Sequence, residues 1–492
     1  MNRREFFRSL GIGAASLGLS GCASASERSG GKALKERPNI LFCIADDWAW
    51  PHASIAGDKV VKTPTFDRVA REGVLFEHAF VSAPSCTPSR GAILTGQWHW
   101  RLEEGGNLWS TLPAKFTVYP DLLEKAGYHI GFTRKAWGPG YDEPGGRTRN
   151  PAGPKYKDFA QFIGARPEGA PSCFWFGSQD PHRPYKWQSG VQSGMKIEDV
   201  AVPGCLPDSE QVRTDICDYY WEVQRFDTEV GELLNTLKEK GELDNTLIVM
   251  TGDNGLPFPR CKSNLYDRGT NVPLAVRWPA QVKGGRVVED FISLSDLAPT
   301  FLEICGLKPT GDMTGRSFLD VLTSGKSGRV DPKRDKVFTG MERHTDRRAG
   351  GVGYPMRAMR THDYLYIRNF KPDRWPAGDP EGYGDIDGSP SKTYMMEHRD
   401  EPGVKGLFEL AFAKRPAEEL YDLRKDPDQL NNVADRSEYA KSKEKLAGAL
   451  MAELKATKDP RGLGKGDIFD EYPYYGAGAP KKAPAKPDAP TL

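Results

Sequence analysis

The sequence predicts an α/β fold, with a large central sheet covered by helices on both faces and a small antiparallel-sheet subdomain after it. Two segments carry the first half of that reading. Pro38-Asn39-Ile40-Leu41-Phe42-Cys43-Ile44-Ala45-Asp46-Asp47 and Asn245-Thr246-Leu247-Ile248-Val249-Met250-Thr251-Gly252-Asp253-Asn254-Gly255 are near-continuous apolar runs that end in acids. Strands of this kind are buried on both faces, which requires helices on either side of the sheet. The second half rests on Met356 to Arg360 and Tyr364 to Asn369, which alternate and turn through Thr361-His362-Asp363 as an antiparallel hairpin.

Residues 1–26 read as a targeting segment. Asn2-Arg3-Arg4-Glu5-Phe6-Phe7 resembles the twin-arginine export motif, and the apolar run Leu10 to Leu19 is too short to span a bilayer stably. The run ends Leu19-Ser20-Gly21-Cys22, which resembles the bacterial lipobox. Cys22 would then carry the lipid of an exported, membrane-anchored lipoprotein in the periplasm or outer membrane of a bacterium. An ordinary signal peptide with a chance cysteine is the alternative. The twin-arginine machinery moves folded proteins, so a residue could be modified in the cytoplasm before export. Residues 27–36 form a Gly/Ser-rich tether, and 471–492 form a Pro/Ala/Lys tail expected to be disordered. The chain between them divides into a large domain, 37–350, and a smaller α+β one, 351–470.

A formal net charge of +1 gives no sign of a nucleic-acid partner. Of eight cysteines, Cys43, Cys173, Cys205, Cys217, Cys261 and Cys305 are scattered without zinc-ligand spacing, and sequence assigns no disulfide among them.

The first apolar strand delivers Asp46 and Asp47. In open α/β sheets ligands sit beyond the carboxyl ends of the strands. Adjacent carboxylates there repel unless a cation binds, and their hard oxygens suit Ca²⁺ or Mg²⁺; an acidic helix N-cap is the alternative. Thr63 to Gly73 reads as a capped helix with Phe66, Val69 and Ala70 on one face, followed by a strand at Val74-Leu75-Phe76. Pro84-Ser85-Cys86-Thr87-Pro88-Ser89-Arg90-Gly91 then runs into a helix whose N-terminus favours anions. Cys86 is either reactive or a buried structural thiol at a loop-to-helix junction.

A helix from Tyr119 to Ala126 precedes a strand that enters Gly131-Phe132-Thr133-Arg134-Lys135-Ala136-Trp137-Gly138-Pro139-Gly140. The apolar Phe174-Trp175-Phe176 leads to a polar loop with His182, a residue type suited to proton transfer; a histidine capping loop carbonyls is the alternative. Asp215 to Gly241 is an amphipathic core helix. Asp253 and Asn254 repeat the strand-plus-acid design, and Lys262 follows. Asn271 to Val276 reads as a strand and Ser295 to Leu302 as a helix. Arg343, His344, Arg347 and Arg348 form a basic cluster, either a contact for an anionic sugar or a solvated loop.

Five of these segments, ordered over roughly residues 37 to 440, resemble the type I (formylglycine-dependent) sulfatases of the alkaline-phosphatase-like superfamily. The signature is Cys86-Thr87-Pro88-Ser89-Arg90. The resemblance implies a large mixed central sheet flanked by helices. It implies oxidation of Cys86 to formylglycine, by a formylglycine-generating or an anaerobic sulfatase-maturating enzyme. A hydroxyl of the hydrated aldehyde would attack sulfur, and re-forming the C=O would expel sulfate. Asp46, Asp47, residue 86, Asp253 and Asn254 would hold the metal. Lys135, His182 and Lys262 would bind sulfate, Arg90 would support the diol, and His182, or else Lys262, would protonate the leaving atom; the basic cluster adds His344 and Arg347 as candidate substrate contacts.

Most sulfatases read Gly-Lys-x-His where this chain has Arg134-Lys135-Ala136-Trp137, so the base that takes the proton during sulfate release is left open. His99, in the run Trp98-His99-Trp100, is one candidate, although such a histidine also reads as packing or substrate wall. Asp253 to Pro259, Asn264-Leu265-Tyr266 and Asp180 to Arg183 look closest to heparan N-sulfatase (sulfamidase) and its bacterial relatives. The implied substrate is a sulfated glycan, as O-sulfate ester or N-sulfate. The alternatives are a phosphonate or phosphate ester hydrolase of the same superfamily and an inactive glycan-binding lipoprotein, for which Trp137 is the one favouring feature.

Overall fold

Seven consecutive buried residues, Asn39–Ala45, form the strand at the centre of the main sheet. The structure, a computed structural model, describes residues 37–476; the export motif, Cys22, the tether and the tail from residue 477 lie outside the described residues. Among the described residues thirteen strands follow one another as β1 (Asn39–Ala45), β2 (Val74–Phe76), β3 (Ala79–Phe80), β4 (His129–Arg134), β5 (Ser172–Gly177), β6 (Thr246–Gly252), β7 (Leu274–Arg277), β8 (Arg286–Val288), β9 (Ile292–Ser293), β10 (Lys336–Met341), β11 (Met356–Thr361), β12 (Tyr364–Asn369) and β13 (Glu418–Asp422). Seven of them make the main sheet in the order β4-β5-β1-β6-β7-β2-β8. β4, β5, β1 and β6 are mutually parallel, and β7 runs against its neighbours β6 and β2, so the sheet is mixed as expected.

The unbroken hydrophobicity of β1 follows from burial on both faces. Leu41, Cys43 and Ala45 join the core that contains Tyr219, Val223 and Phe226 of the Glu210–Glu239 helix. Ile40, Phe42 and Ile44 join the opposite core, with Ile93 and Leu94 of the Cys86–Thr95 helix and Phe301 of the Leu297–Ile304 helix. Phe42 meets Trp175 of β5 edge to face, with ring centroids 4.7 Å apart. Burying an aromatic of this size stabilises the fold by about 1.5–3 kcal/mol.

The long helix starts at Glu210 rather than Asp215, because the Ser209 side chain accepts the Val212 amide and caps it earlier. Asp215 therefore sits inside the helix, buried, where it meets Arg183. The expected helices at Pro64–Glu72 and Tyr119–Lys125 are present, while the strand expected from Asn271 forms at Leu274–Arg277.

β10 to β13 form an antiparallel sheet in sequence order. β10 lies at Lys336–Met341, ahead of the boundary expected at Gly351. The Ala440–Ala456 helix packs Leu446, Leu450 and Leu454 into one core with Phe338, Met359 and Tyr366 of this sheet. Residues 471–476, expected within the disordered tail, are instead placed. Tyr475 is buried, its amide donates to the Trp109 carbonyl at 2.8 Å, and Arg343 donates to the carbonyls of Tyr472 and Pro473. The aromatic residues of this stretch supply apolar area that the Pro/Ala/Lys segment after it lacks.

Arg357 of β11 is fully buried between Glu342 and Asp459, at 2.7 Å from each, and Arg461 closes the network on Glu342 at 3.0 Å. Removing one member leaves buried charge without its partner, which costs about 3–5 kcal/mol. Arg357→Ala is therefore expected to lower unfolding free energy by that amount in urea. Arg68→Ala, which breaks a half-exposed pair with Glu72, is expected to cost under about 1 kcal/mol. Equal losses for the two variants would refute this account of the network.

Candidate active site

Strand register gathers the site. Ile44 of β1 lies beside Gly177 of β5, Ala45 beside Gly252 of β6, and Arg134 of β4 beside Gly177. The residues after these strand ends therefore emerge along one edge: Asp46 and Asp47 after β1, Asp253 and Asn254 after β6, Lys135 after β4, and the loop carrying His182 after β5. Asp47 has φ 75°, in the left-handed region. An extended strand would send adjacent side chains to opposite faces. Here Asp46, Asp47, Cys86 and Asp253 each place a ligand atom within 4.8 Å of the others, and all four residues are buried.

Cys86 is the first residue of the Cys86–Thr95 helix. Its Sγ lies 3.4 Å from Asp46 Oδ1 and 3.9 Å from Asn254 Oδ1. Arg90, one turn on, donates Nε to Asp253 at 2.7 Å and Nη1 to the carbonyls of Lys135 and Ala136, both at 3.0 Å. Its Nη2 has no hydrogen-bond partner and lies 3.5 Å from Asp46 Oδ1. Lys135 Nζ meets Asp46 at 2.5 Å. Lys262 Nζ meets Asp47 at 2.8 Å and Asp387 at 3.1 Å. Thus Asp46, Asp47 and Asp253 each face a cation.

Burial opposes ionisation of Asp46, but Lys135, His182, Arg90 and Lys262 outweigh it and hold the carboxyl well below its usual range. Asp253 is pushed up to about 6 by burial, which the attraction of Arg90 and Lys135, opposed by Asp46 and Asp47, does not cancel. Burial and then the Asp46 carboxylate raise the Cys86 thiol well above its ordinary value. This residue is therefore a thiol rather than a thiolate nucleophile. A divalent cation fits the site on two counts: the donors are hard oxygens, and the buried Asp253 carboxylate is under-compensated by its protein partners.

The cluster opens on a cavity of about 860 Å³ lined by Cys86, Lys135, His182, Lys262, His344 and Asp387 among others. His182 Nδ1 lies 2.6 Å from the Arg183 carbonyl, which can only accept, so Nδ1 carries the hydrogen and Nε2 faces Asp47 at 3.9 Å. The Arg183 guanidinium holds this loop in place through a two-bonded contact with Asp215, at 2.7 and 2.9 Å.

Arg347 and His99 fall elsewhere, while Trp137 lines the cavity. Arg347 is two-thirds exposed, beside Asp346, and does not line the cavity. Its neighbours Arg343 and Arg348 are buried, and Arg348 pairs with Asp385 at 2.6 Å. His99 is fully buried, with Nδ1 on the Ser82 hydroxyl at 2.9 Å, and its pKa lies well below its usual value because of burial and nearby Arg357. It is packing, not a site base. Trp137 is a buried core residue whose indole borders the cavity.

Asp387 was not among the sequence candidates. It lies in Gly384-Asp385-Ile386-Asp387-Gly388, which reads as a solvated turn; only the fold brings it to Lys262. The seven described cysteines are free, and Cys205 hydrogen-bonds Cys261 rather than its sequence neighbour Cys217.

Comparison with known proteins agrees with this geometry. The family described as Sulfatase matches residues 38–307, and the family described as N-sulphoglucosamine sulphohydrolase, C-terminal, matches residues 260–380. The chain is 30% identical to the N-sulphoglucosamine sulphohydrolase of Homo sapiens, over 87% of this chain and 92% of that protein. It is 30% identical to an ulvan-active sulfatase of Formosa agariphila, over 89% of this chain and 82% of the relative. Among solved structures, one in complex with its substrate D-glucosamine-2-N,6-O-disulfate superposes with a TM-score of 0.64 at 21% identity, covering 86% of this chain and 99% of that one. The phosphonate monoester hydrolase of Agrobacterium radiobacter shares the fold, with a TM-score of 0.63 at 18% identity over 86% of this chain and 96% of that one. From the extent of the family match and these relatives, the chain belongs to the sulfatase family of sulfuric ester hydrolases.

Proposed function

We propose that this protein is an exported, formylglycine-dependent sulfatase that removes O-sulfate or N-sulfate groups from a sulfated polysaccharide or its oligosaccharides. One observation carries the reading. A thiol held protonated at a helix N-terminus, among three buried carboxylates and three cations, opens onto a cavity wide enough for a sugar. The relatives named as ulvan-active sulfatase and N-sulphoglucosamine sulphohydrolase support a glycan substrate. Formylglycine at position 86 would supply a hydrated aldehyde as nucleophile, and a divalent cation held by the acids, Ca²⁺ in preference to Mg²⁺, would withdraw charge from the sulfate.

The chain's own residues divide the remaining work. Asp46, Asp47, Asp253 and Asn254 hold the cation with residue 86. Lys135 and Lys262 neutralise sulfate oxygens as charge builds on them. Arg90, anchored on Asp253, keeps an unpartnered Nη2 with which to support the diol. His182, acting as an imidazolium with Nδ1–H held by the Arg183 carbonyl, gives its Nε2 proton to the departing oxygen or nitrogen, and the Arg183–Asp215 contact keeps the ring aimed. Asp387 shares the Lys262 ammonium with Asp47 and so helps to position it. A maturating enzyme and the twin-arginine machinery are the implied partners, with Cys22 as lipid anchor. Among the described residues no helix is long and apolar enough to cross a membrane.

Three outcomes are expected. Cys86→Ala loses sulfate release from glucosamine N-sulfate and glucosamine 6-O-sulfate while melting like the wild type; activity near wild type ends the proposal. His182→Gln slows sugar desulfation about 10²–10⁴-fold but leaves 4-nitrophenyl sulfate, whose phenolate needs no proton, much less affected. Equal losses on both substrates would remove the general-acid role. Calcium raises the melting temperature of the wild type and not of Asp253→Ala, as seen by scanning calorimetry; a calcium-insensitive wild type would contradict the metal assignment.

A further inference from the structure

The reaction proposed above has a second half, and this inference rests on that reading. Once the sulfo group sits on one oxygen of residue 86, the other hydroxyl must lose its proton for sulfate to depart. A base is needed there, and most neighbouring groups are unavailable. Arg90, Lys135 and Lys262 are cations ion-paired with acids, at 2.7, 2.5 and 2.8 Å. Asp46, Asp47 and Asp253 are committed to those cations. His182 serves the leaving atom. Trp137 has an indole N–H that donates and has no lone pair to accept. His99 is sealed in the core.

His344 remains. Its Nδ1 lies 2.9 Å from the hydroxyl of Ser85, the residue immediately before Cys86. Ser85 is the N-cap residue of the Cys86–Thr95 helix, yet its side chain makes no capping hydrogen bond. Serine is among the residue types most favoured at that position because its oxygen satisfies a free helix amide. Here the hydroxyl is turned instead to a histidine 259 positions away. His344 and Cys86 line the same cavity, and with Nδ1 taken by Ser85 the Nε2 edge is left for it. His344 is 4% exposed. Burial lowers its pKa; Lys262 adds to this, while Asp385, Asp387 and Asp47 oppose it, so the resting ring is neutral.

We propose that His344, oriented through Nδ1–H donation to Ser85 Oγ, is the base that takes the proton from the residue-86 hydroxyl as sulfate leaves. The O–H bond breaks and the proton goes to Nε2. The O–H electron pair forms the C=O bond, and the C–O bond to sulfate breaks with its pair going to the sulfate dianion. Water adds back to the carbonyl to restore the diol, and His344 returns its proton to solvent. Nothing is oxidised or reduced. His344 is the catalytic residue and Ser85 the positioning one.

The test uses wild type, His344→Gln and Ser85→Ala, each shown by peptide mass to carry the aldehyde at position 86. Each is given glucosamine N-sulfate and glucosamine 6-O-sulfate. Desulfated sugar, free sulfate and the mass of the residue-86 peptide are followed together. The expected result is that His344→Gln releases about one sugar per active site and then stalls with sulfate retained on that peptide. Its steady turnover falls about 10²–10⁴-fold. Ser85→Ala shows the same retained sulfate with a smaller loss. A structural role alone would slow sugar and sulfate release together and leave the peptide unsulfated, which would overturn the proposal. So would His344→Gln turning over within a few-fold of wild type. If His344→Gln fails to melt cooperatively, Ser85→Ala, which removes a single oxygen, decides on the same retained-sulfate signature. A wild type that releases sulfate from neither sugar overturns the functional reading itself, and this inference falls with it.

Discussion

Three buried carboxylates held together against their mutual repulsion are the constraint on which the rest of the site depends. Asp46, Asp47 and Asp253 lie where parallel strands end side by side, and each is balanced by a cation from a different part of the chain. Arg90 comes from the helix that Cys86 opens, Lys135 from the end of β4 and Lys262 from the loop after β6. Uncompensated, such a cluster would lose ionisation; with its cations it is close to neutral and tolerates burial. A divalent ion would supply part of the counter-charge that the lysines now provide and leave them for a sulfate.

Arg90 links the site to the fold. Its guanidinium ties the first turn of the Cys86–Thr95 helix to the carboxylate after β6 and to two carbonyls after β4. Residue 86 is therefore positioned by three elements distant in sequence. A lysine could not do this, because its single ammonium lacks the planar fork that reaches a carboxylate and two carbonyls at once. The loop of His182 is held in a comparable way by Arg183 on Asp215, so the histidine is carried by a buried ion pair rather than by its own short loop.

The small sheet contributes more than a cover. β10 leads into His344, and the stretch between β12 and β13 supplies Asp387, so two residues of the cavity come from beyond the main sheet. The Arg357 network holds this sheet to the segment around Asp459 and Arg461. Site and C-terminal region are in this sense one construction.

The sequence by itself determined the strands that carry acids, the helix opened by Cys86, the hairpin of β11 and β12, and the residues Asp46, Asp47, Cys86, Arg90, Lys135, His182, Asp253, Asn254 and Lys262 as a set. Burial on both faces of a strand and charge at its end leave a local pattern that marks the acids; Cys86, Arg90, Lys135, His182 and Lys262 were joined to them by the resemblance to the sulfatases. The sequence did not determine partners. Asp387 and Ser85 carry no local mark, and His344 was indistinguishable from Arg347 within one basic run. His99 and Trp137 were equally ambiguous, since a histidine or tryptophan beside apolar residues suits both a core and a wall. Only the tertiary structure decided these, because pairing depends on which strand ends the sheet register sets side by side. That register is fixed by contacts between residues more than a hundred positions apart.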